Sequence, residues 1–232
     1  MYKSLAIVFA VLCSMILIPS MPTQAASDDR CFAETGFCIS GQIRSYWERN
    51  GGLPVFGFPT SEFRSMDIEG KPFMAQNFER NRLELHPENK APYDVLIGRV
   101  GALNITALEQ AGNTNPVIFL AEDYDTTAFA DGKLFKNSPK MVKFFPQTKF
   151  FVTDQFGFLQ YWQTHGLQLD GKKSISEAES LALFGLPLTV AFTSESGYVT
   201  QIFERARFEY HPENPEPYKV LLGLLGNEFL PK

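Results

Sequence analysis

In two places the chain sets a His between carboxylates at alternating positions: Glu84, His86 and Glu88 in "RLELHPEN", and Glu209, His211 and Glu213 in "RFEYHPEN". An imidazole flanked by carboxylates can serve as a general base or contribute to a metal site. Arg82 and Arg207 stand two positions before the first Glu of each set. On a strand that spacing puts Arg, Glu and His on one face, where the Arg and Glu can form charge-assisted hydrogen bonds. Three readings follow: a polar network that serves the fold, a ligand-binding surface, and a catalytic or metal site.

The first reading needs least. Metal sites for hydrolysis gather converging ligands, whereas Pro87 and Pro212 stop the strand directly after each His, and the neighbouring Arg repels a cation. The sequence holds no GxSxG, no HExxH and no nucleophilic Cys with a partnering His. Two near-identical sites in one monomeric enzyme would also be unusual. No catalytic residue, metal ligand or cofactor is therefore assigned, and Arg82, Glu84, His86, Arg207, Glu209 and His211 are read as a structural network. A buried partner left unpaired costs about 1 to 3 kcal/mol, which explains why both copies keep every member. On this reading Glu209→Ala strands Arg207 partly desolvated, at a cost of about 2 to 4 kcal/mol.

The elements that must hold these residues are also written twice. "FERNRLELHPEN", Phe78 to Asn89, returns as "FERARFEYHPEN", Phe203 to Asn214, 125 positions later. Around each copy stand, in the same order, YW, a Gly-ended helix, FGxP, a Gly turn, QxFER, ExHPEN, PY and a final apolar stretch. Ile43, Tyr46 and Trp47 lie at helical spacing behind Ser40, as do Phe158, Tyr161 and Trp162 behind Asp154. Asn50-Gly51 and His165-Gly166 are placed to end those helices in a left-handed turn. Strands follow: "EFRSMDI", a turn at Glu69-Gly70, "FMAQNF", a tight turn and "RLELH". Leu83 and Leu85 then share the face opposite Arg82, Glu84 and His86, and Phe208 and Tyr210 do so in the second copy. Tyr93, Leu96, Ile97 and Val100, matched by Tyr218, Leu221, Leu222 and Leu225, predict a closing helix in each copy. The expected fold class is α+β, two homologous helix, antiparallel meander, helix units in a pseudo-twofold arrangement.

The remaining segments set the context. Lys3 precedes an apolar run from Leu5 to Ile18, and small residues follow in "TQAAS", the pattern of an export signal cleaved after Ala25 or Ala26. A lipid anchor at Cys13 is the weaker reading, since the residue before it is Leu12. Cleavage takes Lys3 from 21 basic residues, so 20 face 26 acidic ones. With no basic run, nucleic acid is excluded as a partner, and no membrane span remains after cleavage. Cys31 and Cys38, in an oxidising compartment, are expected to form a structural disulfide; two free thiols or a redox pair are the alternatives, although CxxC spacing is absent. Residues 1–25 are thus the signal peptide, 31–110 the first unit, 111–143 a connector and 144–232 the second unit. Asp123, Asp125, Asp131 and Gly132 in the connector lack EF-hand spacing and read as a solvated loop.

"GQIRSYWERNGGLPVFGFPTSE" followed by "GKPFMAQNF" resembles the LGFP repeat of secreted bacterial cell-envelope proteins. Nearly everything after Asp29 further resembles exported bacterial proteins that carry the extended unit with FERxR and HPEN. The second copy departs from the pattern, inserting "LQLDGKKSISEAESLA" before FGxP and writing "PLTV" in place of PTSE. The resemblance implies a noncatalytic module, secreted or held at the cell envelope, that binds cell-wall or extracellular glycan. Trp47, Phe56, Phe58 and Trp162 are the candidate sugar platform, because aromatic faces suit sugar rings. An assembly module that binds another envelope protein is the alternative, and a hydrolase of envelope polymers the second.

Overall fold

The computed structural model of the chain describes residues 29–112 and 142–231. The expected signal segment, Cys13 and almost all of the connector, with its Asp residues, lie outside the described residues. The first half opens with a hairpin of β1 (Arg30–Cys31) and β2 (Cys38–Ile39), closed by a disulfide between Cys31 and Cys38. Then come α1 (Gly41–Arg49), the short α2 (Gly52–Phe56), β3 (Arg64–Ile68), β4 (Lys71–Asn77), β5 (Arg82–Leu85), β6 (Val95–Ile97) and α3 (Val100–Gln110). The second half runs β7 (Val142–Phe145), β8 (Phe150–Thr153), a 3-10 turn (Asp154–Phe156) and α4 (Phe158–Thr164). It continues with α5 (Glu177–Phe184), β9 (Phe192–Thr193), β10 (Val199–Ile202), β11 (Arg207–Tyr210), β12 (Val220–Leu222) and α6 (Leu225–Phe229). Helices with antiparallel sheets make an α+β fold.

Each half contains a four-stranded antiparallel meander in sequential order, β3 to β6 and β9 to β12. The fourth strand corrects the expected helix. Leu96, Ile97, Leu221 and Leu222 lie in β6 and β12, and Tyr93 and Tyr218 are exposed before them. The HPEN turn starts this return strand: His86 N–H donates to Asp94 O and His211 N–H to Lys219 O. Pairing β5 with β6 and β11 with β12 satisfies backbone that a helix start would leave open. The helices begin only at Val100 and Leu225.

Other ends also differ from expectation. Ser40 precedes α1 without a side-chain cap, and Thr153, not Asp154, caps the 3-10 turn by accepting from Gln155 N–H. His165 is extended rather than left-handed, because the insertion continues away from α4 as a strand-like segment. Asn50 likewise stays out of the left-handed region; its amide donates to Tyr46 O and its carbonyl accepts from Gln168 N–H, tying the halves together.

The hairpins that open the halves occupy the same place. Phe32 meets Trp47 edge to face at 5.5 Å, and Phe145 meets Trp162 in the same way at 5.5 Å. Arg30 lies over the first pair and Lys143 over the second. Gln76 Nε2 donates to the Cys38 and Ser61 carbonyls, while Gln201 Nε2 donates to those of Phe151 and Thr189. The Gln of QxFER thus binds each hairpin to the loop after FGxP.

The FER turns join everything else. Phe78 and Phe203 are fully buried in one core that spans both halves. Glu79 N–H donates to Phe58 O while its carboxylate accepts from Phe58 N–H at 3.0 Å, and Glu204 does the same with Leu186. Gly57 and Gly185 face these glutamates at φ of 78° and 75°, where a Cβ would strike the Glu side chain. The closing helices then cross over. Ala102 N–H donates to Glu204 O and Asn227 N–H to Glu79 O, so α3 sits on the second FER turn and α6 on the first. Val100, Leu225 and Leu230 form a small buried cluster between them.

A Cβ at Gly101 would run into the Phe203 carbonyl oxygen, and one at Gly226 into that of Phe78. Because the obstacle is backbone, Gly101→Ala and Gly226→Ala should each cost about 2 to 3 kcal/mol, at the upper end for overpacking. Urea unfolding with the disulfide intact measures this; unchanged midpoints would mean that the helices do not rest on the turns.

The inserted segment has its own anchor. Glu179 forms a capping box with Ser176 at the start of α5, and its carboxylate also accepts from Leu169 and Asp170 N–H. The Ser176 and Leu169 N–H groups hold the carboxyl below the ordinary range. A depressed folded value contributes stability above the unfolded value and loses it as pH falls through the folded one. Stability should therefore drop on acidification below about pH 4.5 more steeply than in Glu179→Gln, as followed by thermal unfolding across pH.

Candidate functional site

Both Arg-Glu-His sets lie together on their sheets, as the alternation requires. Arg82 Nε donates to Glu84 Oε1 at 2.8 Å and Nη2 reaches the same oxygen at 2.7 Å. His86 stands with Nε2 3.4 Å from Glu84 Oε2 and Nδ1 2.8 Å from Glu88 Oε1, its ring against Phe73. The second set repeats this: Arg207 with Glu209 at 2.7 Å, and His211 between Glu209 and Glu213 over Tyr198. On the reverse faces Leu83 and Phe208 are completely buried. Burying such a side chain contributes about 2 to 3 kcal/mol, so each strand is specified on both faces.

The pairs lie over the glycines that directly follow the fourth strands. A Cβ at Gly98 would strike Glu84 Oε1, and one at Gly223 would come 2.7 Å from Arg207 Nε. Charge state follows the geometry. Its own backbone N–H and the His86 ring hold Glu88 below the usual carboxylate range, and its own backbone with His211 does so for Glu213. Glu48 and Asp170 are also lowered by cationic partners, so each of these carboxyls favours the ionised form, the opposite of what a general acid at neutral pH requires. Among the described residues no three His, Cys, Asp or Glu side chains converge as a metal ion would need.

The candidate sugar platform is corrected by burial. Trp47, Phe56 and Trp162 are 3%, 0% and 2% exposed, and Phe58 is half-buried against Phe32 at 5.5 Å. Trp47 Nε1 donates to Gly57 O, inside the FGxP turn. Trp47, Phe56 and Trp162, so enclosed, offer no face to a sugar, and Phe58 offers at most part of one. The helical spacing of the tryptophans reads as core, and FGxP aromatics are core because the turn folds under the FER segment.

Partly exposed aromatics collect elsewhere. A cleft of about 270 Å³ in the second half is lined by Phe156, Tyr161, His165, Tyr210, Pro217 and Lys219, with Gln155, Gln160 and Glu216. The His165 ring lies flat on Tyr161, 3.9 Å away and 14° from parallel. Its Nδ1 donates to the Tyr161 carbonyl, which in a neutral ring leaves Nε2 as an acceptor. Burial pushes the Tyr161 hydroxyl up to about 12, so it is a neutral phenol. Phe156 and Tyr210 stand 5.6 Å apart along the cleft. Sequence reading passed over Phe156 and treated His165 only as a helix end; the insertion, which sends the chain away after His165, was the available signal.

A larger groove of about 540 Å³ lies on the polar face of the first sheet, reaching Arg82, Glu84 and His86 and floored by Phe73, Leu96 and Leu103. The second half differs at this point. Arg207 is gripped from α6 by Glu228, Nη1 to Oε2 at 2.7 Å and Nη2 to Oε1 at 2.6 Å. Burial works against the charge on Arg207, and the two carboxylates more than offset it.

No protein-family model, curated protein or solved structure matches the chain.

Glu228 changes the expected result at Glu209. With Glu209 removed, Arg207 keeps a bidentate carboxylate, whereas among the described residues Arg82 pairs with Glu84 alone. Glu84→Ala should cost about 3 kcal/mol and Glu209→Ala about 1 kcal/mol, and adding Glu228→Ala to the latter should restore the larger loss. Chemical denaturation of the four proteins decides it; equal losses at Glu84 and Glu209 would remove Glu228 from the account.

Proposed function

We propose that the chain is an exported, noncatalytic module that holds envelope or extracellular glycan, and that its sugar-facing surface is the aromatic cleft of the second half. The observation that carries this reading is the cleft itself: accessible faces of His165, Tyr210 and Phe156 beside the planar amides of Gln155 and Gln160. Sugars are held by such pairings of aromatic faces with planar hydrogen-bonding groups. The Arg-Glu-His sets, by contrast, spend their polar atoms chiefly on one another. The likeness of Gly41 to Phe78 to the LGFP repeat and the export pattern of residues 1–25 support the same setting.

We further infer that the halves are homologous units around a pseudo-twofold axis. Supporting it are the shared order of elements, the two FER clamps and the crossed seating of α3 and α6.

Incubating the mature chain with insoluble cell wall and with soluble oligosaccharides tests the glycan reading. His165→Ala and Tyr210→Leu should each weaken retention at least fivefold while the unfolding temperature of His165→Ala stays within a few degrees of the parent. Retention that persists in both variants, or that disappears when the wall is stripped of protein, would transfer the role to another surface or to a protein partner.

A further inference from the structure

The two halves present the same arginine in two states. In register, 125 positions apart, Leu103 stands where the second half has Glu228, each the fourth residue of its closing helix. Glu209 occupies Nε and Nη2 of Arg207, and Glu228 occupies Nη1 and Nη2, so one guanidinium serves two carboxylates. Glu84 takes Nε and Nη2 of Arg82 in the same manner. Among the described residues no carboxylate other than Glu84 pairs with Arg82, and Arg82 lines the 540 Å³ groove.

We propose that this groove is a binding site for a carboxylate carried on an apolar group, with Arg82 as its anchor. The second half supplies the template, since its own Glu228 shows how a second carboxylate sits on the guanidinium in the presence of the first. The planar fork of an Arg matches a carboxylate with two parallel hydrogen bonds. Phe73, Leu96, Leu103 and Phe229 line the groove beside it and suit an apolar body next to the charged end. Arg99 and Arg205 also line the groove, paired with Glu204 at 3.2 Å and 3.4 Å; Arg82 is the anchor because its counterpart Arg207 shows a second carboxylate seated on the same side chain. Asp67 and Glu69 also line the groove, and with Glu84 they disfavour multiply charged anions such as phosphate. The site is separate from the aromatic cleft, so its fate does not depend on the glycan reading.

Nuclear magnetic resonance of the Arg Nε–H signals, titrated with N-acetylphenylalanine, its carboxamide and glucuronate, provides the test. The Arg82 signal should shift with N-acetylphenylalanine, not with the carboxamide, and at least tenfold more weakly with glucuronate; a comparable shift with glucuronate would overturn the apolar half of the proposal. Leu103→Glu, which copies the second half, should weaken binding at least tenfold without lowering the unfolding temperature. Glu228→Leu should create a second site, seen as a new shift of Arg207. If the carboxamide binds equally, if no carboxylate binds at millimolar concentration, or if Leu103→Glu binds as the parent does, the proposal is overturned.

Discussion

The backbone of the FER turns is the constraint on which the rest depends. At Phe78 and Glu79, and again at Phe203 and Glu204, three partners compete for a few peptide groups: the FGxP loop, the turn's own strand pair and the closing helix of the other half. Each needs the others in place. The Glu carboxylate fixes the loop, the loop glycine leaves room for the Glu, and a glycine in the opposite helix lets that helix reach the turn carbonyls. Neither half can complete this arrangement alone, which is why the buried core runs through both.

Much of this was legible because residues were repeated together. The strand alternation of Arg82 to His86 predicted both faces correctly, and Glu69-Gly70 formed the expected turn, with Gly70 suited to its positive φ and Glu69 held there at φ 53°. Less was legible where two patterns share one spelling. Tyr93, Leu96 and Ile97 satisfy helical spacing, yet "VLI" is also a short strand, and only the partner strand Leu83 to Leu85 selects between them. The aromatic platform failed for a related reason, since a Trp on an amphipathic helix is written identically whether it meets a ligand or a core. Pairing the two copies position by position sets Leu103 against Glu228, a difference legible in the sequence alone.

The two Arg-Glu pairs show how a network can be structural and still leave an edge for chemistry. Arg207 is held by two carboxylates, whereas Arg82 is held by Glu84 among the described residues and lines a groove whose walls mix apolar and charged side chains. The aromatic cleft follows the same logic on the opposite copy, where Lys219 stands in place of Asp94, whose carboxylate binds Gln42 across the matching position of the first half.

The opening hairpins solve one mechanical problem by different means. In the first, Cys31 faces Cys38 through a covalent bridge; in the second, Phe144 faces Phe151 and the pair packs with Val142, Phe150 and Val190. A bridge constrains the unfolded chain and vanishes under reduction, whereas buried rings respond to temperature and solvent and ignore electrons. Thioredoxin or glutathione would therefore loosen the cover over Trp47 and leave that over Trp162 intact. The chain carries a built-in asymmetry: reducing conditions open the closure at one end of the molecule and leave the other as it was.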